Sequence, residues 1–220
     1  MPEESSKDID TRCKIMDTAE KLFAEKGFDA TSIRSIVAEA EVNLAAIHYH
    51  FGGKDELLHA VFKRVVETVN NERLLRLNDL EKNSATPKVE EIIRAFLLPL
   101  LACWRHEPHR IQHLTRLFGQ MQSDPERFST IIKDFFAEVG LRFINALAKA
   151  LPELSKPELF WRFKFMLGAM HMMVANGLVP KKLGLFLKEE PELEAVTNSL
   201  FQFVCGGFQA QPTDKEKLSK

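Results

Sequence analysis

The sequence has few of the features that mark secreted, membrane-spanning or metal-stabilised proteins. Its three cysteines, Cys13, Cys103 and Cys205, are odd in number, lie far apart and form no CxxC pair. A disulfide framework or a structural zinc site is therefore not expected, and a reducing cytosol is the natural setting. The N-terminal ten residues are polar and acidic rather than signal-like, and no run of about 18 apolar residues predicts a membrane span.

An excess of charge of either sign is also missing. The 30 Lys and Arg residues against 31 Asp and Glu give a formal net charge of −1, so the whole chain shows no basic signature for nucleic acid. One tyrosine against 17 phenylalanines indicates a dry, apolar interior. Hydrophobic residues make up 45% of the 220, enough to bury a sizeable core and to argue against disorder.

Apolar residues recur at helical spacing along the chain, with Gly and Pro between the segments and no convincing strand pattern. We therefore predict an all-α fold, with a small N-terminal three-helix domain and a larger helical domain. The expected divisions are a disordered tail over 1–10, a helix-turn-helix domain over 11–53, a helical domain over 54–208 that opens with a connecting helix over 54–82, and a tail over 209–220. Within them, helices are expected near 11–26, 88–106, 109–121, 125–151, 156–177 and 190–207.

The segment from Thr31 to Phe51 has the pattern of a helix-turn-helix. Two short helices joined by about four residues are the compact way to present a helix to the DNA major groove. Thr31 is predicted to cap the first helix and Asn43 the second. The apolar positions expected to form a small core are Ile33, Ile36, Val37, Val42, Ile47 and Phe51.

Residues 11–58 resemble the DNA-binding domain of the TetR family through the stretches AEKLFAEKGF, TSIRSIV and NLAAIHYHFGGKDELL. The resemblance implies a DNA-binding regulator and not an enzyme. It also implies DNA contacts at Thr31, Ser32, Leu44, Ala45, His48, Tyr49, His50 and Lys54. The Thr31 and Ser32 hydroxyls and the Tyr49 and His50 side chains would bind phosphates, and Leu44 and Ala45 would face bases.

Two features of this region oppose tight DNA binding. Residues 1–53 carry six Lys or Arg and ten Asp or Glu, a formal −4, which predicts weak non-specific binding and reliance on a dimer. Glu41 stands in the turn where the family usually has Gly. If Glu41 has a positive φ, its side chain costs about 1 kcal/mol.

The C-terminal region predicts a partner. The segment 156–177 is apolar nearly all round, so one side is expected to face the core and the other a second subunit. The last helix adds Val196, Leu200, Phe201, Val204 and Phe208. Together the two helices predict a four-helix interface in a homodimer, which a palindromic operator also requires. The alternative is that 156–177 is a buried central helix of a monomer.

The middle helices are rich in Phe, Leu and Met, which suits either a packed core or a pliable apolar pocket, and a kink at Pro99 would help to open one. The stretches PELFWRFKFMLGA and TRLFG resemble the PsrA-like TetR subgroup, which implies a fatty acid or acyl-CoA effector. Arg116 and Arg162 are candidate carboxylate partners, or else structural salt-bridge residues. The predicted ligand residues are Phe96, Leu100, Trp104, Arg116, Phe118, Phe136, Phe143, Arg162, Met166 and Met170.

The sequence thus predicts a cytoplasmic, ligand-responsive repressor that binds double-stranded DNA as a homodimer and needs no cofactor. One alternative is an apolar-ligand carrier with a vestigial helix-turn-helix. An enzyme is disfavoured because paired carboxylates, a nucleophile elbow and a phosphate loop are not evident. Metal sites are not expected, because His48 and His50 do not share a helix face and Pro108 interrupts His106, His109 and His113.

Overall fold

A computed structural model of the protein describes residues 6–175 and 191–213, and within these residues every regular element is a helix. The predicted all-α class, with an N-terminal helix-turn-helix domain and a larger C-terminal helical domain, is confirmed. The elements are α1 (Ser6–Lys26), α2 (Ile33–Glu39), α3 (Leu44–Phe51), α4 (Lys54–Asn83), α5 (Val89–His106), α6 (Pro108–Ser123), α7 (Ser129–Ile132), a π-helical turn (Lys133–Ala137), α8 (Glu138–Ala150), α9 (Lys156–Ala175) and α10 (Leu193–Gln209).

The N-terminal helix is longer than its apolar pattern indicates. It begins at Ser6, inside the segment predicted as a tail, and ends as predicted before Gly27, whose φ of +89° suits glycine. Its apolar face, with Ile15, Leu22 and Phe23 fully buried, packs against α4 and α6. Helix α1 is therefore anchored to the larger domain through both α4 and α6.

The core of the helix-turn-helix is not closed off from the rest of the molecule. Ile36 of α2 and Ile47 of α3 share one buried cluster with residues of α1 and α4. The same cluster continues into α6 through Leu114, Leu117 and Met121. The small core predicted from the sequence is thus one part of a larger core that joins the two domains.

The larger domain is built on α4, a helix of 30 residues that spans about 45 Å at 1.5 Å per residue. Helices α5 and α8 pack against α4, α9 packs on α8, and α10 packs on α5 and α9, and together these helices bury a second apolar cluster. Helix α5 continues through Pro99 from Val89 to His106. None of the helices that the structure describes is both long enough and apolar enough to cross a membrane.

The single helix predicted over 125–151 is wrong. Residues Asp124–Phe128 form turns, α7 is one turn long, and a π-helical turn precedes α8. The turns at 124–128 bring Arg127 and Phe128 into contact with the N-terminal region. The Phe128 ring is buried edge-on against Phe28 at a centroid distance of 5.7 Å, and Arg127 pairs with Asp29 at 2.6 Å.

Candidate DNA-binding surface and ligand cavity

Helix α2 is capped by Ser32, and the predicted cap at Thr31 is wrong. The Ser32 hydroxyl accepts from the Ser35 amide at 3.0 Å, while the Ser35 hydroxyl accepts from the Ser32 amide at 3.1 Å, which makes a reciprocal capping box. Thr31 instead is 0% exposed, and its hydroxyl donates to the carbonyl oxygens of Leu22 and Gly27. The Thr31 side chain therefore fixes the loop after α1 and does not face a phosphate in this structure.

The turn between α2 and α3 contains the strained residue that the sequence predicts. Glu41 has a φ of +55°, in the left-handed region that favours glycine. After it, the Val42 amide donates to the Val37 carbonyl at 3.1 Å. Asn43 then caps α3 as predicted, because its Oδ1 accepts from the Ala46 amide at 2.8 Å.

Helix α3 has a clear division between inner and outer faces. Ile47 and Phe51 are buried, whereas Leu44, Ala45, His48 and Tyr49 are exposed. These four exposed residues lie at positions i, i+1, i+4 and i+5 and so share one face of the helix. Tyr49 is 78% exposed, and the His48 Nδ1 lies 2.9 Å from the Gly52 carbonyl oxygen. Four of the predicted DNA contacts therefore form one outward surface.

Two other predicted DNA contacts, His50 and Lys54, are less exposed. His50 is half-buried beside Tyr49, with ring centroids 4.9 Å apart. The Lys54 ammonium lies 4.3 Å from the centroid of the Phe28 ring, a cation–π contact. Burial at this place lowers the pKa of Lys54 from its ordinary value. Lys54 thus has a packing role in the free protein, in addition to the predicted DNA contact.

Several acidic residues of the N-terminal region are matched by basic residues from elsewhere in the fold. Glu20, which is buried, contacts Arg64 of α4 together with Arg110 and His113 of α6. Asp17 pairs with the same two arginines at 2.7 and 3.2 Å. These ion pairs lie between α1 and the larger domain, and they offset part of the acidic balance that the sequence shows in residues 1–53.

The larger domain contains a partly open cavity of about 130 Å³ between α4, α5, α6, α8 and α9. At the share of about 30 Å³ that one molecule has in liquid water, this is room for roughly four waters. Five predicted ligand residues line the cavity, namely Phe96, Leu100, Phe118, Phe136 and Met170.

The other five predicted ligand residues are not in the lining. Trp104, Phe143 and Met166 are buried in the packed core next to the cavity. Arg116 is exposed. Arg162 is used structurally, because it pairs with Glu158 at 2.6 Å and donates to the carbonyl oxygens at the end of α10, including that of Phe208 at 2.7 Å. Arg162 therefore has the structural role that the sequence analysis gave as its alternative, and Arg116 does not line the cavity.

The polar lining of the cavity comes from residues that the sequence analysis missed. They are Asn70 and Arg73 of α4, Thr115 of α6 and His171 of α9. Burial lowers the pKa of His171, which favours its neutral form. Burial also lowers the pKa of Arg73 to about 9, so its guanidinium remains charged at neutral pH. The cavity thus holds one permanent positive charge in an otherwise apolar wall.

Within the described residues, helices α9 and α10 expose large apolar side chains on a surface that we call the α9/α10 face. It consists of Trp161 and Phe165 of α9 and Phe203 of α10, with Phe165 66% and Phe203 72% exposed. Of the five α10 residues that the sequence analysis assigned to a partner, all but Val196 face inward instead. Val204 and Phe208 are buried in the protomer, and Leu200 and Phe201 pack partly against the core.

Known proteins resemble the chain in both halves. Residues 15–61 match the family described as bacterial regulatory proteins, tetR family, and residues 94–207 match the tetracyclin repressor-like C-terminal domain. The biofilm operon icaADBC HTH-type negative transcriptional regulator IcaR of Staphylococcus aureus (strain Newman) is 24% identical over 140 residues, which cover 64% of this chain and 69% of IcaR.

Solved structures share the fold at low sequence identity. A transcriptional regulator from Aquifex aeolicus VF5 superposes with a TM-score of 0.55 at 20% identity, covering 88% of this chain and 97% of that one. The fatty acid degradation regulator FadR from Bacillus halodurans gives a TM-score of 0.59 at 17% identity, covering 96% and 100%. Since the family matches span the helix-turn-helix and most of the larger domain, the chain belongs to the TetR family of bacterial transcriptional regulators, which bind DNA and are not enzymes.

Proposed function

We propose that the protein is a cytoplasmic repressor that binds a two-fold symmetric operator as a homodimer and is released by a small apolar effector. The observation that carries the proposal is the outer face of α3, where Leu44, Ala45, His48 and Tyr49 are exposed together over a buried inner face. Leu44 and Ala45 lie at the helix N-terminus, where recognition helices meet base edges. Tyr49 would bind a phosphate oxygen, with Ser32, His50 and Lys54 adding backbone contacts.

A homodimer is proposed because of the α9/α10 face. Trp161, Phe165 and Gly168 follow one stripe of α9 at intervals of four and three residues. A Cβ added at Gly168 or at Gly206 of α10 would meet nothing within 4 Å, so both glycines leave open space at this surface. Large rings beside glycines suit packing against a second copy, and a two-fold pair would give the operator two recognition helices.

The proposed release of DNA rests on α6, which serves both regions. Leu114, Thr115 and Phe118 of α6 line the cavity, whereas Leu117 and Met121 belong to the core shared with α1. Arg110 on the same helix pairs with Asp17 of α1. An effector that fills the cavity best with α6 displaced would therefore shift α1 and change the spacing of the two α3 helices, and DNA would oppose effector binding to the same extent.

The names of similar proteins support two parts of the proposal. IcaR is a negative regulator, which supports repression. FadR of Bacillus halodurans regulates fatty acid degradation, and the PsrA-like resemblance also points to a fatty acid or acyl-CoA effector. The mostly apolar lining of the cavity is compatible with an acyl chain.

The experiment is selection of bound sequences from a random DNA pool, repeated with a panel of acyl ligands. A two-fold symmetric consensus that is lost on adding one ligand is the expected result. Fatty-acid binding without any selected DNA would favour an apolar-ligand carrier instead and would contradict the proposal.

Two variants of one residue test the docking of α3 on the selected operator. Tyr49→Ala should weaken binding across sequences and leave the slope of log affinity against log salt nearly unchanged, because the tyrosine is uncharged and releases no counter-ion. Tyr49→Phe keeps the ring and removes only the hydroxyl, so it separates loss of the phosphate hydrogen bond from loss of packing. Unchanged affinity in both variants would overturn the proposed orientation of α3.

A further inference from the structure

We propose that the effector is a free carboxylic acid whose carboxylate pairs with Arg73, and not a thioester or another neutral acyl compound. This inference rests on the proposed role of the cavity as the effector site. It concerns the chemical class of the ligand and assigns its recognition to a residue of α4.

Arg73 is buried, with 5% of its surface exposed, and its contacts are all with neutral groups. Its Nε donates to the Phe96 carbonyl oxygen at 2.8 Å and its Nη1 to the Asn70 Oδ1 at 3.1 Å. Its Nη2 lies 3.8 Å from the Met170 sulfur, a weak acceptor. The guanidinium carbon stands 3.9 Å from the centroid of the Phe96 ring.

No ion pair with a carboxylate satisfies Arg73 among residues 6–175 and 191–213, which distinguishes it from Arg64, Arg142 and Arg162. A guanidinium has five N–H donors, and the contacts above use three of them. A buried charge without a counter-ion is costly in a folded protein, and an acidic ligand would supply the missing charge.

The surroundings of Arg73 favour one negative charge and an apolar tail. Of the described residues that line the cavity, Arg73 is the one with a charge at neutral pH, since burial favours neutral His171. The fork of a guanidinium matches the two oxygens of a carboxylate. Leu114, Phe118, Phe136 and Leu167 supply apolar wall for the chain of the acid.

A coenzyme A thioester fits this cavity poorly. Its acyl carbonyl carries no charge for Arg73, and its several phosphate charges would need more cations than the single one in the lining.

The test measures binding of matched ligands to the full-length protein without DNA. Octanoic and decanoic acid are titrated against their methyl esters, their primary alcohols and the corresponding acyl-CoA by calorimetry. We expect the acid to bind roughly ten- to a hundredfold more tightly than the ester of the same chain length. Equal affinities for acid, ester and alcohol, or tighter binding of acyl-CoA, would by themselves overturn the proposal.

Variants then assign the preference to one side chain. Arg73→Met should remove the difference between acid and ester and retain ester binding, whereas Arg73→Lys should keep part of the preference because it keeps the charge and loses the fork. Arg116→Met, at an exposed arginine of α6, is the matched control and should keep the full preference. A preference retained in Arg73→Met would overturn the assignment.

Operator release separates this inference from the proposed function. If the acid binds through Arg73 and leaves DNA affinity unchanged, the carboxylate site stands and the effector role fails. If the ester releases the operator as well as the acid does, the effector role stands and the carboxylate inference fails.

Discussion

Replacing Glu41 by glycine should stabilise the protein, although Glu41 is exposed and lies outside the buried core. Its φ of +55° places a residue with a Cβ in the left-handed region, which costs about 1–2 kcal/mol. Glycine removes this cost but gains conformational freedom in the unfolded chain, worth about 0.4–1 kcal/mol. The free energy of unfolding should therefore rise by about 0.5–1 kcal/mol in Glu41→Gly.

The matched control is Glu41→Gln, which removes the charge of this exposed residue and keeps its Cβ and its strain. Its free energy of unfolding should stay within about 0.5 kcal/mol of the parent protein. Urea unfolding followed by far-ultraviolet circular dichroism measures both variants, with equal denaturant slopes as the condition for comparing them. The expected gain for Glu41→Gly corresponds to a rise in Tm of roughly 1–4 °C.

Binding to the operator separates strain from charge in the same two variants. Removing a negative charge beside α3 should increase DNA affinity about equally in Glu41→Gly and Glu41→Gln. A lower stability of Glu41→Gly than of the parent, or an equal gain in Glu41→Gln, would refute the argument that backbone strain at this turn is relieved by glycine.

Three further substitutions test other contacts. Thr31→Val removes the hydroxyl that bonds to two carbonyls of the loop after α1 and should lower the free energy of unfolding by about 1–2 kcal/mol in urea, while Thr31→Ser should lose less. Glu20→Gln leaves Arg64 and Arg110 without one buried partner and should lower the free energy of unfolding by about 2 kcal/mol, and an unchanged midpoint would contradict this network. Phe165→Glu should shift the proposed dimer to monomer in sedimentation and lower operator affinity, and a persisting dimer would remove the α9/α10 face as the interface.

The helix-turn-helix could be predicted from the sequence because its signals are local. The apolar spacing of α2 and α3, the cap at Asn43 and the glycine after α1 act within a few residues of one another. The predicted cap of α2 at Thr31 is wrong by one residue, because Thr and Ser side chains can both cap a helix. What decides is the fold of α1 onto the following loop, which buries Thr31 and leaves Ser32 at the helix end.

The break near residue 128 could not be predicted in the same way. The segment after Pro125 has helical spacing, and nothing local indicates turns at Arg127 and Phe128. These two residues leave the helical path to contact Asp29 and Phe28, which are about 100 positions away in the chain. Contacts at this separation override local propensity, and a single sequence does not reveal them.

The charged residue of the cavity could have been predicted from the sequence. Arg116 and Arg162 lie in stretches that resemble a fatty-acid-responsive subgroup, yet Arg116 is exposed and Arg162 binds the carbonyl oxygens at the end of α10. Arg73 follows Val65 and Val69 at intervals of four residues and precedes Leu77 by four, so it continues the apolar stripe of α4. A charged residue within such a stripe must be buried with its charge, and in a regulator the residue that bears this cost is the first place to look for ligand recognition.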